Sequence, residues 1–142
     1  GTLSPIPGFA DWFSYLEENK IKNILGNLKD QNVLFLKSQD LKIGDKRILE
    51  NKDAILKLVA HYIVNEKNHK GLPTNDVSRF HLGNGAIVDD IVINANVSET
   101  GFRRSFGVMV NYLYELKNIE KNHEDYINNK KVIFSEKLKR YM

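Results

Sequence analysis

Several segments of the chain carry apolar residues three or four positions apart, the spacing that places them on one face of an α-helix. The first of these segments, 9–19, has its apolar positions at Phe9, Trp12, Phe13 and Leu16. The same spacing predicts a second short helix over 21–28 and the clearest helix of the chain over 48–65. A further helical segment is predicted to begin at Asn118, a residue that can cap a helix.

Other segments show the two-residue period of β-strands. Segment 86–97 carries apolar residues on both faces, which is typical of a strand well inside a sheet. Segment 106–116 alternates, and one of its faces carries Val108, Val110, Tyr112 and Tyr114. Near the N-terminus, 2–4 could be the end of another strand, because Pro5 and Pro7 forbid a helix before Gly8.

The rest of the pattern is polar or ambiguous. Segments 39–47 and 98–105 are polar, contain glycine and are predicted to be loops. Segment 132–142 is predicted to be a last amphipathic segment, and periodicity leaves 33–36 open between a short strand and a helical turn. The length of 142 residues is that of one domain.

Composition narrows the classes of function. The hydrophobic fraction of 42% and the charged fraction of 27% are ordinary for a globular protein, and no apolar run approaches the length of a membrane span. The net charge of +3 could indicate a polyanionic partner. However, the lysines are interleaved with acidic residues, so we expect neither a nucleic acid nor a membrane as partner. The absence of cysteine excludes disulfides, thiolate chemistry and Cys-ligated metals.

The stretch from Phe80 to Ala86 does not fit regular structure, because it places Gly-Asn-Gly shortly after a histidine. Residues 74–76 can cap a short helix that reaches Phe80 or His81. A histidine held at such a turn is a candidate for proton transfer, since its ordinary pKa lies near neutral. The alternative is a helix that ends in glycine with a hydrogen-bonded structural histidine in its last turn.

Two further polar residues stand at unusual places. Ser4 lies where a strand ends and a rigid proline turn begins, which suits a catalytic or ligand-binding hydroxyl but also an ordinary turn serine. Asn111 lies in the middle of an apolar strand, so it either faces solvent or lines a site. The chain has no metal-ligand spacing of histidines, no phosphate-binding glycine loop and no Gly-x-Ser-x-Gly elbow. The remaining chemistry is proton transfer together with hydrogen-bond polarisation of a carbonyl.

Three blocks of the sequence resemble the C-terminal part of the malonyl-CoA decarboxylase family. They are Leu-Ser-Pro-Ile-Pro-Gly-Phe at 3–9, Val-Ser-Arg-Phe-His-Leu-Gly-Asn-Gly-Ala at 77–86 and Gly-Val-Met-Val-Asn-Tyr-Leu-Tyr at 107–114. The blocks occur in the order of the family, and 118–126 resembles its tail. The likeness is close over 2–13 and 74–126 and weak over 20–70, where the lengths of family members vary.

The resemblance implies an α+β fold, namely the C-terminal portion of a GNAT-type acyltransferase fold with a twisted mixed sheet flanked by helices. It implies conversion of malonyl-CoA to acetyl-CoA and CO2 with no metal and no organic cofactor. The catalytic pair of the family corresponds to Ser4 and His81, and a supporting tyrosine corresponds to Tyr114. We add Asn111 to these as a substrate-binding residue, because of its place in the strand.

The resemblance also implies segments that precede residue 1. In the family, a segment that binds the CoA pyrophosphate lies upstream of the serine, and an N-terminal helical domain mediates oligomerisation. The chain begins at Gly1 without an initiator methionine, which indicates a piece of a longer protein. Because the upstream segments are missing from it, we expect the isolated piece to be inactive. Through that N-terminal domain we expect a homo-oligomer. The last three residues are not a peroxisomal Ser-Lys-Leu signal, so we expect a bacterial cytoplasm, with mitochondria as the alternative.

Two alternatives from other classes stay open. An acyl-CoA-dependent N-acyltransferase of the same fold would need a site for an amine acceptor and a general base. A non-catalytic domain that binds a protein or a polyanion predicts that Ser4 and His81 lie far apart and that basic residues cluster on one face.

Overall fold

A computed structural model describes all 142 residues as an α+β fold with one small sheet and helices around it. The sheet is antiparallel, has the strand order β1-β3-β2 and consists of β1 (Thr2–Ser4), β2 (Ile87–Val92) and β3 (Met109–Leu113). The α-helices are α1 (Phe9–Tyr15), α2 (Glu18–Leu25), α3 (Lys46–Glu50), α4 (Lys52–Val64), α5 (Asp76–Gly83), α6 (Glu99–Ser105) and α7 (Ile119–Asn129). Three 3₁₀ helices complete the fold, at Gly26–Leu28, Leu34–Lys37 and Glu136–Tyr141.

Helix α4 lies at the centre of the core. Nine of its thirteen residues are buried, so it is apolar nearly all round, as a helix enclosed by other elements must be. It packs against α2, β2 and the C-terminal 3₁₀ helix. The face of β3 that carries Val110 and Tyr112 joins the same cluster of buried side chains, so the sheet and α4 share one core.

A β-bulge in β2 changes which of its residues face the core. Asp89 is an extra residue, since Val88 lies opposite Tyr112 while Asp90 lies opposite Asn111. As a result Val88 and Ile91 are both buried, although they are three positions apart, and Val92 is exposed. The regular alternation predicted for 86–97 is therefore wrong beyond Val88, and the strand ends at Val92.

The pattern predicts where most of these helices lie better than it predicts where they begin and end. The predicted helix 9–19 ends at Tyr15, and α2 begins at Glu18. The predicted helix 48–65 is two helices that meet at Asn51. The ambiguous segment 33–36 is a 3₁₀ helical turn, and α3 occupies the end of the predicted loop 39–47.

The prediction of a loop over 98–105 is wrong. Ser98 caps α6 there, because its Oγ accepts a hydrogen bond from the Gly101 N–H at 3.1 Å and donates one to Asn96 Oδ1 at 2.7 Å. Phe102 is buried against Phe106, with ring centroids 6.1 Å apart. A good cap and one apolar anchor thus suffice for a helix of seven residues in an otherwise polar segment.

The C-terminal segment covers the outer edge of β2. The Val88 N–H donates to the Ile133 carbonyl at 2.9 Å, and the Ser135 N–H donates to the Val88 carbonyl at 3.0 Å. An ion pair of 2.9 Å between Lys137 Nζ and Asp89 Oδ2 holds the same segment at the bulge. The outer edge of β1, in contrast, pairs with no other strand of this chain. None of the helices combines the length and the apolar character that a membrane span requires.

Gly85 directs the chain out of α5 and toward β2. Its φ of 89° lies in the left-handed region, which an L-residue enters only at a cost. A Cβ at this position would overlap the carbonyl oxygen of Ile119 at the start of α7. The Gly85 carbonyl in turn accepts a hydrogen bond from Asn122 Nδ2 at 3.3 Å, so the turn and α7 are packed without a gap.

We predict that Gly85→Ala lowers the free energy of unfolding by roughly 1–3 kcal/mol more than Gly44→Ala does. Gly44 is the matched control, because its φ is 84° but no atom lies within 4 Å of the Cβ that alanine would add. The difference between the two variants therefore measures the overlap with α7. Urea unfolding of the full-length protein followed by circular dichroism checks this, and equal losses in the two variants would contradict it.

Candidate active site

Ser4 is held at the end of β1 by the sheet and by the residues that follow it. It lies opposite Val110 of β3, and its side chain is on the face of the sheet that carries Val110 and Tyr112. Only 4% of Ser4 is exposed, and Ile6 beyond it is fully buried. The hydroxyl therefore points toward the interior of the fold. Because Ser4 belongs to a strand and not to a loop, its backbone position is fixed.

His81 lies in the last turn of α5. The helix starts at Asn75, whose Oδ1 accepts a hydrogen bond from the Val77 N–H at 3.0 Å. It ends at Gly83, and the N–H groups of Asn84 and Ala86 both donate to the His81 carbonyl at 3.1 Å. His81 is 8% exposed. The hydrogen bonds to its carbonyl fix its backbone, as the glycine turn after it predicts.

The two residues meet although 77 positions separate them. Ser4 Oγ lies 3.0 Å from His81 Nε2, and the hydroxyl of Tyr114 lies 2.6 Å from His81 Nδ1. A neutral imidazole donates from one ring nitrogen and accepts at the other. Either the serine donates to Nε2 and Nδ1 donates to the tyrosine, or the tyrosine donates to Nδ1 and Nε2 donates to the serine. The three side chains form a continuous path for a proton.

The imidazole of His81 also contacts two aromatic rings. The ring of Tyr112 stacks on it with centroids 4.4 Å apart and planes inclined by 23°. The Tyr112 hydroxyl lies 2.5 Å from Ser78 Oγ, and both of these side chains are fully buried. Phe80, which is 65% exposed, has its ring nearly perpendicular to the imidazole, with centroids 5.2 Å apart.

Burial sets the protonation of the site. It lowers the pKa of His81, because the imidazolium form is the one that loses hydration. It raises the pKa of the Tyr114 and Tyr112 hydroxyls for the same reason, since there the charged form is the phenolate. The resting site therefore consists of neutral groups that donate and accept hydrogen bonds.

Asn111 does not belong to this group of side chains. It alternates with Val110 and Tyr112 along β3, and so its side chain is on the opposite face of the sheet. There its Nδ2 donates to Asp89 Oδ2 at 3.3 Å. The structure thus brings together three of the four predicted site residues, Ser4, His81 and Tyr114, and places the fourth away from them.

Sequence reasoning did not single out Ser78 or Tyr112. The signal was present in their spacing: Ser78 precedes His81 by three positions on a helix, and Tyr112 on β3 precedes Tyr114, just past the strand, by two positions. Each therefore shares a face with a residue that was singled out. Neither residue type is unusual in its element, so only the shared face points to the site.

Two of the other three histidines, His61 and His123, have hydrogen-bond partners outside the site. His61 Nε2 lies 3.0 Å from Glu66 Oε2, and its ring stacks on Trp12 with centroids 6.0 Å apart. His123, predicted to be solvated, is exposed, but its Nδ1 also donates to the Gly83 carbonyl at 2.6 Å. No group of three or more His, Asp and Glu side chains is placed to hold a metal ion.

Comparison with known proteins places the chain in a family. The family model of the malonyl-CoA decarboxylase C-terminal domain matches residues 1–142. The mitochondrial malonyl-CoA decarboxylase of Mus musculus is 32% identical over 96% of this chain. That of Anser anser anser is 31% identical over the same share. The chain spans only 31% of the length of each of these two relatives.

Solved structures agree with the sequence comparison. Malonyl-CoA decarboxylase from Cupriavidus metallidurans is 31% identical and superposes with a TM-score of 0.82 over 99% of this chain and 38% of its own. The enzyme from Rhodopseudomonas palustris is 33% identical, with a TM-score of 0.77 over 99% of this chain and 32% of its own. The chain therefore belongs to the malonyl-CoA decarboxylase family, and the family model that it matches is that of the C-terminal domain.

Proposed function

We propose that this chain supplies the Ser4–His81 pair of an enzyme that decarboxylates malonyl-CoA to acetyl-CoA and CO2. The observation that carries the proposal is the 3.0 Å contact between Ser4 Oγ and His81 Nε2, two side chains that are almost fully buried and come from distant segments. Membership of the family supports the choice of a malonyl thioester as substrate. The same contact argues against the non-catalytic alternative, which required the two residues to lie far apart.

The reaction needs a proton donor and a partner for negative charge. The bond between the carboxylate and the α-carbon breaks, and its electron pair forms an enolate whose charge lies largely on the thioester oxygen. His81, which is neutral at rest, takes up a proton from solvent once the substrate is bound, gives this proton to the α-carbon of the enolate and returns to the neutral form. Ser4 donates a hydrogen bond to the departing carboxylate or to the thioester oxygen. A nearly dry site favours this step, because charge moves from a hydrated carboxylate into a delocalised enolate.

Tyr114 keeps the imidazole ready for this role. Its hydroxyl contacts Nδ1 at 2.6 Å, so it fixes which way Nε2 points and can exchange a proton with the ring. The lowered pKa of His81 makes its imidazolium a stronger acid, which suits transfer to carbon. Asn111 has no part in the proposed step, since it lies on the opposite face of the sheet.

We further propose that the three strands are the C-terminal portion of a larger acyltransferase-type sheet. The open outer edge of β1 supports this, because a neighbouring strand could pair there and bring a CoA-binding segment beside Ser4. Oligomerisation through an N-terminal helical domain, and a bacterial cytoplasmic or mitochondrial location, remain proposals. Relatives named as mitochondrial enzymes are consistent with the second location.

The direct test is CO2 release from malonyl-CoA by the full-length protein and its variants. We expect His81→Ala and Ser4→Ala each to lower kcat by about 10²- to 10⁴-fold, as the loss of a proton donor or of a charge-stabilising group does. Matched controls are His69→Ala, an exposed histidine, and Ser105→Ala, a buried serine whose Oγ donates to the Val108 carbonyl at 2.8 Å.

Three outcomes separate the alternatives. Loss of activity in both site variants, with the controls near the wild type, supports the Ser4–His81 pair. A wild type that releases no CO2 but acetylates an added amine from acetyl-CoA favours the N-acyltransferase. Full activity in either site variant would show that the pair is structural.

The pH dependence of stability tests the neutral resting state of His81. Because the folded pKa lies below that of the unfolded chain, about 6.5, the unfolded state binds more protons as the pH falls below this value. We therefore expect the thermal midpoint of the full-length protein to fall between about pH 7 and pH 5. The fall should be smaller in His81→Gln, which has no proton to gain. An identical fall in the wild type and in His81→Gln would contradict the lowered pKa.

A further inference from the structure

We propose that Tyr112, held by Ser78, is a positioning residue that fixes the plane of the His81 imidazole so that Nε2 points at Ser4. We call these two side chains, joined by their hydroxyl groups at 2.5 Å, the Tyr112–Ser78 clamp. The inference rests on the proposed function for its activity readout, but its effect on the ring of His81 can be measured without activity.

The first argument is that two hydrogen bonds join one face of α5 to one face of β3 and its extension. His81 and Ser78 are three residues apart on α5, and their partners are Tyr112 on β3 and Tyr114, one residue past the end of that strand. The two hydrogen bonds are thus separated by about one helical turn, roughly 5 Å. A single hydrogen bond would let the helix rotate about its axis, whereas two hydrogen bonds fix the direction in which the His81 side chain projects from the helix.

The second argument is that the contact between the rings of Tyr112 and His81 restrains tilting of the imidazole, which the two hydrogen bonds of the imidazole restrain only weakly. The hydrogen bonds at Nε2 and Nδ1 lie in the plane of the imidazole, so they act weakly against tilting of that plane. Tyr112 lies against the face of the ring at 4.4 Å, and its own position is set by the strand and by Ser78. The clamp therefore restrains the direction perpendicular to the ring.

The third argument concerns the burial of the two hydroxyls. Both residues are fully buried, and the hydroxyl–hydroxyl contact is the only side-chain hydrogen bond that either of them makes. Phenylalanine and alanine would fill the same space without burying polar groups, so packing alone does not call for this pair. What the pair adds is a fixed place for the tyrosine ring that touches His81.

One strand therefore serves every member of the site. Val110 lies opposite Ser4, Tyr112 lies on the face of the imidazole, and Tyr114 binds Nδ1. These three residues alternate along β3 and its extension, so a single backbone sets the distances among the groups of the proposed reaction.

The experiment uses Ser78→Ala, Tyr112→Phe and the double variant in the full-length protein. Each single change removes the same hydrogen bond, so we expect kcat for CO2 release to fall about five- to tenfold in each, with KM unchanged. The double variant should fall no further, because the interaction is already lost. The matched control is Tyr126→Phe, which removes a buried hydroxyl that has no hydrogen-bond partner and should leave kcat as in the wild type.

Stability separates positioning from a structural role. Each single variant leaves one buried hydroxyl without its partner and should lower the thermal midpoint, while the double variant removes both and should recover much of that loss. Positioning predicts that kcat stays low in the double variant despite this recovery. If kcat instead recovers together with the thermal midpoint, or never falls in the single variants, the proposal is wrong.

A nitrogen NMR spectrum of labelled histidine gives a readout that needs no turnover. In the wild type the two ring nitrogens of His81 should have separate, tautomer-specific shifts, and in Ser78→Ala these shifts should move toward each other as the ring exchanges between arrangements. Such a change in a protein that releases no CO2 would support the clamp and contradict only the decarboxylase function. Shifts that are unchanged in Ser78→Ala would contradict the clamp whatever the activity.

Discussion

The site depends on one constraint, the two-residue period of β3. Because successive side chains of a strand point to opposite faces, Val110, Tyr112 and Tyr114 all face the core, and each of them meets a different part of the site. The antiparallel pairing with β1 then delivers Ser4 to that face. Helix α5 brings His81 to it from the other side. A shift of the register by one residue would turn all three contacts to the opposite face at once.

The sequence was informative where local chemistry decides the structure. The proline turn after Ser4, the asparagine cap of α5 and the glycine turn after His81 each have a short-range cause, and each prediction based on them is confirmed. The bulge at Asp89 and helix α6 were missed, because a bulge shows only against a partner strand and α6 owes its stability to a buried Phe102. The sequence left open whether Asn111 faces solvent or lines a site, since a period shows which residues share a face but not which face is inward.

The electrostatic character of the site depends on where the fold places charged side chains. Its groups are neutral at rest, and the buried carboxylate of Asp89 lies on the opposite face of the sheet, where Lys137 and Asn111 compensate it. A malonyl carboxylate that reaches Ser4 would thus meet hydrogen-bond donors rather than a competing anion. The reaction, as proposed, begins with the only charge in the site on the substrate itself.

The pairing of β1 with β3 also constrains how the chain can fold. Thr2 lies opposite Tyr112, so β1 must wait, once it has been synthesised, for more than a hundred further residues before β3 exists. Closing such a long loop delays the gain from the contacts it makes, which slows folding of topologies of this kind. Until β3 is made, the edge of β1 that will face it remains unpaired and open to other chains, and the candidate site is among the last parts of the fold to form.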